Sequence, residues 1–132
     1  MANHATAPVS PHLQIWRWTV TMAASIFQRV TGVAQYFGAI LLTIWLASAA
    51  MGDQAFNTVQ SLFASPLGTI VLFGYSWSIS FHLINGLRFL FWDAGYGFKI
   101  KTANLTGWLA FGGSIILTAI IWAVVILTGG GS

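Results

Sequence analysis

Cysteine is absent from the 132 residues. The chain can therefore neither form a disulfide nor hold a thiolate-ligated iron–sulfur cluster. Acidic side chains are almost as scarce: Asp53 and Asp93 are the only two, and they lie far apart in the sequence. That leaves nothing from which to build a paired-carboxylate acid–base centre. Charge of either sign is rare, at 5% of residues, whereas a soluble domain carries about a quarter. A surface so poor in charge faces lipid rather than water. At this length the chain has no room for a large soluble catalytic domain beside membrane spans.

What is present is apolar: 57% of the residues are hydrophobic. Three long runs stand out, at residues 30–50, 67–92 and 105–128. Each reaches the ~20 residues a helix needs to cross a ~30 Å hydrocarbon core. Glycine and serine within the runs fit this reading, because small residues recur where membrane helices pack closely. The composition thus predicts an all-α integral membrane protein of three transmembrane helices. Residues 1–132 form a single membrane domain, in which residues 1–29 are a cytoplasmic segment carrying the start of an interfacial helix. Residues 51–66 read as a loop.

The few charges orient the spans. Arg17 and Arg29 precede the first span, and Arg88, Lys99 and Lys101 stand at or beyond the end of the second. The first loop carries Asp53 and neither lysine nor arginine. By the positive-inside rule the N-terminus and the second loop are cytoplasmic, and the C-terminus lies on the outer side. The net charge of +3 reflects anchoring to lipid at the inner face and does not imply nucleic acid. The N-terminal stretch does not read as a removable signal, since Arg29 interrupts the approach to the first span. This favours a bacterial inner membrane over a mitochondrial one. The closing Gly129-Gly130-Gly131-Ser132 reads as a frayed end or a linker.

His82 is the residue that asks for chemistry. No other acidic, basic or histidine side chain occurs between Asp53 and Arg88. An ionisable residue at membrane depth is costly and marks a functional site by default. At helical rise it lies about 22 Å from Leu67 and about 15 Å from Trp92, in the cytoplasmic half of its span. Imidazole is a common ligand for haem iron, but it can also hydrogen-bond a neighbouring helix or relay a proton. Gly86, four residues on, shares its helix face and leaves space for a flat macrocycle. Arg88 lies about 9 Å further along the axis, and Arg29 stands at the mouth of the first span. Anionic propionates of a haem at His82 could point towards such cations. No second histidine lies in a span, because His4 and His12 are in the N-terminal segment. More modest readings stand beside these. Arg29 can snorkel as an anchor, Ser25 can bond back to a helix carbonyl, and Trp16, Trp18 and Trp92 can form an interfacial belt. Asp93 can pair with Arg88 or a nearby lysine.

Local order adds a further clue. Ser-Pro-His-Leu-Gln-Ile-Trp at residues 10–16 leads into Ser-Ile-Phe-Gln-Arg-Val-Thr-Gly at 25–32. His-Leu-Ile-Asn-Gly-Leu-Arg-Phe-Leu-Phe-Trp-Asp follows at 82–93. These blocks resemble the cytochrome b subunit of succinate dehydrogenase, the larger anchor of respiratory Complex II, over nearly the whole chain. The resemblance implies that His82 is an axial ligand of haem b iron. It implies a second small membrane anchor subunit that supplies the other ligand and completes the helix bundle. It implies a ubiquinone site at Ser25 and Arg29, lined by Trp18, Met22 and Ile26, with Arg29 also within reach of a haem propionate. FAD and the iron–sulfur clusters would sit on a flavoprotein and an iron–sulfur partner, where succinate is oxidised. Ser25 and Arg29 are four residues apart and can face one pocket.

Three positions depart from the pattern. Gln28 stands where the family usually has the histidine before the arginine, Phe89 replaces the histidine after Arg88, and Trp16 replaces a tyrosine. The two missing histidines put the propionate contacts in question and leave the axial ligand untouched. Gln28 retains a hydrogen-bond donor, and Phe89 does not. The expected function is thus the membrane anchor of a succinate:ubiquinone oxidoreductase. The alternatives are a menaquinol-oxidising fumarate reductase anchor, a haem-free structural anchor, and a small transporter subunit. The last fits poorly, since there is no second membrane acid or base to receive a proton.

Overall fold

The structure, a computed structural model, describes residues 8–129. His4 and residues 130–132 lie outside them. A 3₁₀ turn at His12–Ile15 is followed by four α-helices: α1 (Val20–Ala50), α2 (Asp53–Ala64), α3 (Pro66–Asp93) and α4 (Ile100–Leu127). The described residues contain no strand. α1, α3 and α4 are the three helices long and apolar enough to cross a membrane. The all-helical, three-span architecture expected from the sequence is what the chain forms.

Two boundaries differ from the apolar runs. α1 begins at Val20, well before the run at residue 30, because Thr19 caps it: its hydroxyl accepts the Met22 amide proton at 3.3 Å. At 31 residues α1 is about 46 Å long, so one end projects past the hydrocarbon. The expected loop at 51–66 is mostly α2. Gly52, at φ +104°, turns the chain into it, and Asp53 lies in its first turn. The helix turns Phe56 and Gln60 towards Trp45 of α1. The Phe56 and Trp45 ring centroids are 5.8 Å apart, and Trp45 Nε1 donates to Gln60 Oε1 at 3.1 Å. Ser65 then caps α3 by accepting from the Gly68 amide at 3.1 Å, with Pro66 in the first helical turn.

α1 and α3 run antiparallel. Gln35 Nε2 donates to Ser78 Oγ at 3.1 Å, and further along Thr31 meets His82. Gly38 lies against Tyr75, and a Cβ at Gly38 would overlap the Tyr75 ring. Glycine is required there so that the helices can approach. α3 and α4 are also antiparallel, with Phe81 against Phe111 and Phe73 against Trp122. Only Ala24, Phe81 and Ala110 are buried hydrophobic residues among those described, joined by Phe27, Trp77 and Phe111 in one aromatic cluster. Most large apolar side chains face outward. That is the reverse of a soluble core and suits a lipid solvent.

Candidate functional site

Polar residues recur every three or four positions along α1 and α3: Gln28, Thr31 and Gln35 on one, Ser78, His82 and Asn85 on the other. This spacing places each set on one helix face, and the antiparallel packing brings the two faces together. The result is a hydrogen-bonded seam inside an otherwise apolar bundle. Thr31 Oγ1 lies 3.1 Å from His82 Nδ1, and Gln28 Nε2 lies 3.4 Å from His82 Nε2. Asn85 Nδ2 donates to Gln28 Oε1 at 3.1 Å and to the Ala24 carbonyl at 3.3 Å. Asn85 is completely buried.

Arg88 extends the seam to α4. Its Nη1 donates to Asn85 Oδ1 (3.3 Å), its Nε to Thr106 Oγ1 (2.9 Å) and its Nη2 to the Ala103 carbonyl (3.0 Å). The guanidinium carbon sits 4.1 Å from the Trp92 ring centroid. Arg88 is 6% exposed, so it neither snorkels to a surface nor pairs with Asp93. No ion pair occurs among the described residues, and Asp93 is exposed. Trp92 thus supports a buried cation and stacks on Phe98, beyond the belt role expected for it.

The adjoining face of α1 is different. Met22, Ser25, Ile26 and Arg29 occupy the i, i+3, i+4 and i+7 positions of one stripe, beside the face that carries Gln28 and Thr31. Trp18 precedes the helix, 59% exposed, with its ring 5.9 Å from Trp16. The side chains of Ser25 and Arg29 find no hydrogen-bond or ionic partner among the described residues, and Ser25 does not bond back to its own helix. The structure thus brings Ser25, Arg29, Met22 and Ile26 to one face of α1, around the helix from the Gln28 and Thr31 face that meets His82. Ile26 and Arg29 are exposed on that face, and Met22 and Ser25 are half-buried.

The donor set suits a haem with a single ligand from this chain. No group of three or more histidine, cysteine or acidic side chains that could hold a bare metal ion occurs among the described residues. His82 offers one half-buried imidazole. Beside it the helix surfaces are flat: a Cβ at Gly32 would lie 3.4 Å from His82 Cε1, and one at Gly86 would meet only Gln28 Nε2, at 3.7 Å. Thr31 and Asn85 escaped the sequence reading. The signal that could have found them is the three-to-four spacing of polar residues in two apolar runs.

Residues 3–121 match the model of the succinate dehydrogenase/fumarate reductase transmembrane subunit family. The chain is 39% identical over 118 residues to the succinate dehydrogenase cytochrome b556 subunit of Paracoccus denitrificans, covering 89% of this chain and 91% of that one. It is 41% identical over 115 residues to the subunit of the same name in Rickettsia prowazekii (strain Madrid E), covering 87% and 90%. Similarity extends to the cytochrome b560 subunit of Reclinomonas americana, at 32% over 122 residues, covering 89% and 85%.

Proposed function

Because the chain belongs to the succinate dehydrogenase/fumarate reductase transmembrane subunit family, we propose that it binds haem b through His82 and forms part of a ubiquinone-reduction site at Ser25 and Arg29. It is a multi-pass membrane protein, a cytochrome b subunit of succinate dehydrogenase and so part of an oxidoreductase complex. One observation carries the finer reading. One face of α1 holds the His82 ring, and another presents Ser25 and Arg29, two donors without a partner among the described residues.

On this reading His82 would hold the haem iron through Nε2, and a second small anchor subunit would supply the other ligand and cover the exposed part of the Ser25 and Arg29 face. Haem b would supply a one-electron redox centre beside the quinone. The Ser25 hydroxyl and the Arg29 guanidinium donate to a quinone carbonyl oxygen and favour the charge that builds on it during reduction. Met22, Ile26 and Trp18 supply apolar walls that orient the ring and exclude water. Ubiquinone takes two electrons and two protons. On this reading the protons come from water or from a side chain of the partner. Electrons reach the membrane from an iron–sulfur partner, and the flavin-bearing partner oxidises succinate. The relatives carry succinate dehydrogenase names, which supports this direction over quinol oxidation.

The start of α1, the end of α3 and the start of α4 lie at one end of the bundle, and all five lysine and arginine residues lie towards it. This supports a bacterial inner-membrane protein with its N-terminus cytoplasmic and its C-terminus periplasmic. The test is a difference spectrum of the solubilised complex, succinate-treated against air-oxidised. A b-type band is expected, and it disappears in His82→Ala. A band that persists unchanged in His82→Ala would overturn the ligand assignment.

A further inference from the structure

The Thr31 hydroxyl is 2% exposed and carries one proton. That proton is committed to its own helix: Thr31 Oγ1 donates to the Phe27 carbonyl at 2.7 Å, with the Gln28 carbonyl at 3.1 Å as a second acceptor. Towards His82 Nδ1, at 3.1 Å, the same oxygen can therefore only accept. The imidazole must carry its proton on Nδ1, which leaves the lone pair on Nε2. The other side of the ring agrees. Gln28 Oε1 accepts from Asn85, so its amide nitrogen, a donor, faces Nε2. At 3.4 Å that contact is long for a hydrogen bond. The geometry thus gives the Nδ1–H a committed acceptor and leaves Nε2 with only a loose contact.

From this geometry we infer that Thr31 is the positioning residue of His82: it fixes the tautomer and the ring plane that present Nε2 to iron. The inference rests on the haem reading given above. Metal-bound histidines usually donate their other N–H to a carboxylate, a backbone carbonyl or water, and losing that acceptor commonly weakens the metal site 10- to 100-fold. Here a threonine, itself anchored to a backbone carbonyl one turn earlier, takes that role. The ring also packs beside Gly32, where a Cβ would lie 3.4 Å from Cε1. The hydrogen bond that Nδ1–H donates to Thr31 Oγ1 also makes Nε2 a stronger donor to iron, which favours the ferric over the ferrous state.

The test uses the complete complex bearing Thr31→Val, which keeps the shape and removes the hydroxyl, and Thr31→Ser, which keeps the hydroxyl. In Thr31→Val the haem affinity falls about tenfold. The midpoint potential rises, by about 59 mV for a tenfold loss confined to the ferric form. The low-spin ferric electron paramagnetic resonance signal shifts as the ring plane relaxes. Thr31→Ser restores all three. Should Thr31→Val not assemble, Thr31→Ala removes the same hydroxyl with less bulk and carries the same expectation. An unchanged potential and haem content in the hydroxyl-free variant, with haem lost in His82→Ala, overturns the role of Thr31 alone. A potential shifted as far by serine as by valine does the same, because packing and not the hydroxyl would then be responsible. Haem retained in His82→Ala overturns the parent reading, and this one with it.

Discussion

Arg29 and Arg88 stand towards the same end of the bundle, yet the protein surrounds them in opposite ways. Arg88 is enclosed. Three of its donors are engaged by Asn85, Thr106 and the Ala103 carbonyl, and Trp92 lies beneath it. Arg29 is exposed on α1 with no partner among the described residues, and the nearby Ser25 is equally unengaged. A buried cation with good hydrogen bonds ties helices together. A cation left open beside apolar side chains is available to a ligand. The same residue type is thus architectural on one face and chemical on the other, and the difference can be measured.

The largest effect is expected at the open site. Arg29→Gln should lower quinone reduction about 100-fold, as for removal of one preorganised donor to a developing anion. The thermal stability of the complex should stay within about 0.5 kcal/mol, the usual range for an exposed position. Parallel loss of both would erase the distinction between the two arginines. Arg88→Leu should do the converse. It strips hydrogen bonds from Asn85, Thr106 and Ala103 and should destabilise the complex by about 2 kcal/mol, read as a lower melting temperature. Arg88→Lys should recover only part, because an ammonium cannot reproduce the planar fork.

Gly38→Ala probes the apolar half of the α1–α3 contact, where a Cβ would run into the Tyr75 ring. Overpacking there should cost about 1–2 kcal/mol with an unchanged haem spectrum, whereas a changed spectrum would mean that the two halves are mechanically coupled. The smallest change is expected for Gln28→Ala. Its contact to His82 is long, so haem content and quinone turnover should fall less than tenfold, and less than in Arg29→Gln. A loss matching that of Arg29 would move Gln28 into the group that touches quinone or haem.

Much of this was legible in the residues. Hydropathy marks the three spans because a bilayer imposes a length that few soluble helices share. His82 is visible because so little else in the second span can ionise. α2 was hidden, since twelve residues of mixed polarity are too short for a span and lie between Gly52 and Ser65 as a loop would. Its Phe56, Val59 and Phe63 do recur at helical spacing, and they turn inward. The inward turn of Arg88 was also hidden. A cation near a span end reads as an interfacial anchor, and only the approach of α4, bringing Thr106 and the Ala103 carbonyl, makes the interior preferable. The Thr31–His82 contact needed the register between α1 and α3, which no single helix encodes.

That register bears on how the protein is made. The side-chain amides of Gln28 and Gln35 have no partner within α1; their acceptors and donors lie on α3, in residues synthesised 43 to 57 positions later. As α1 leaves the ribosome, two unsatisfied amides face either lipid or the insertion machinery, a costly state for an isolated membrane helix. α1 and α3 are therefore best delivered to the bilayer together as a hairpin. The seam that holds the histidine then closes as a late step of biogenesis, on which cofactor loading would have to wait.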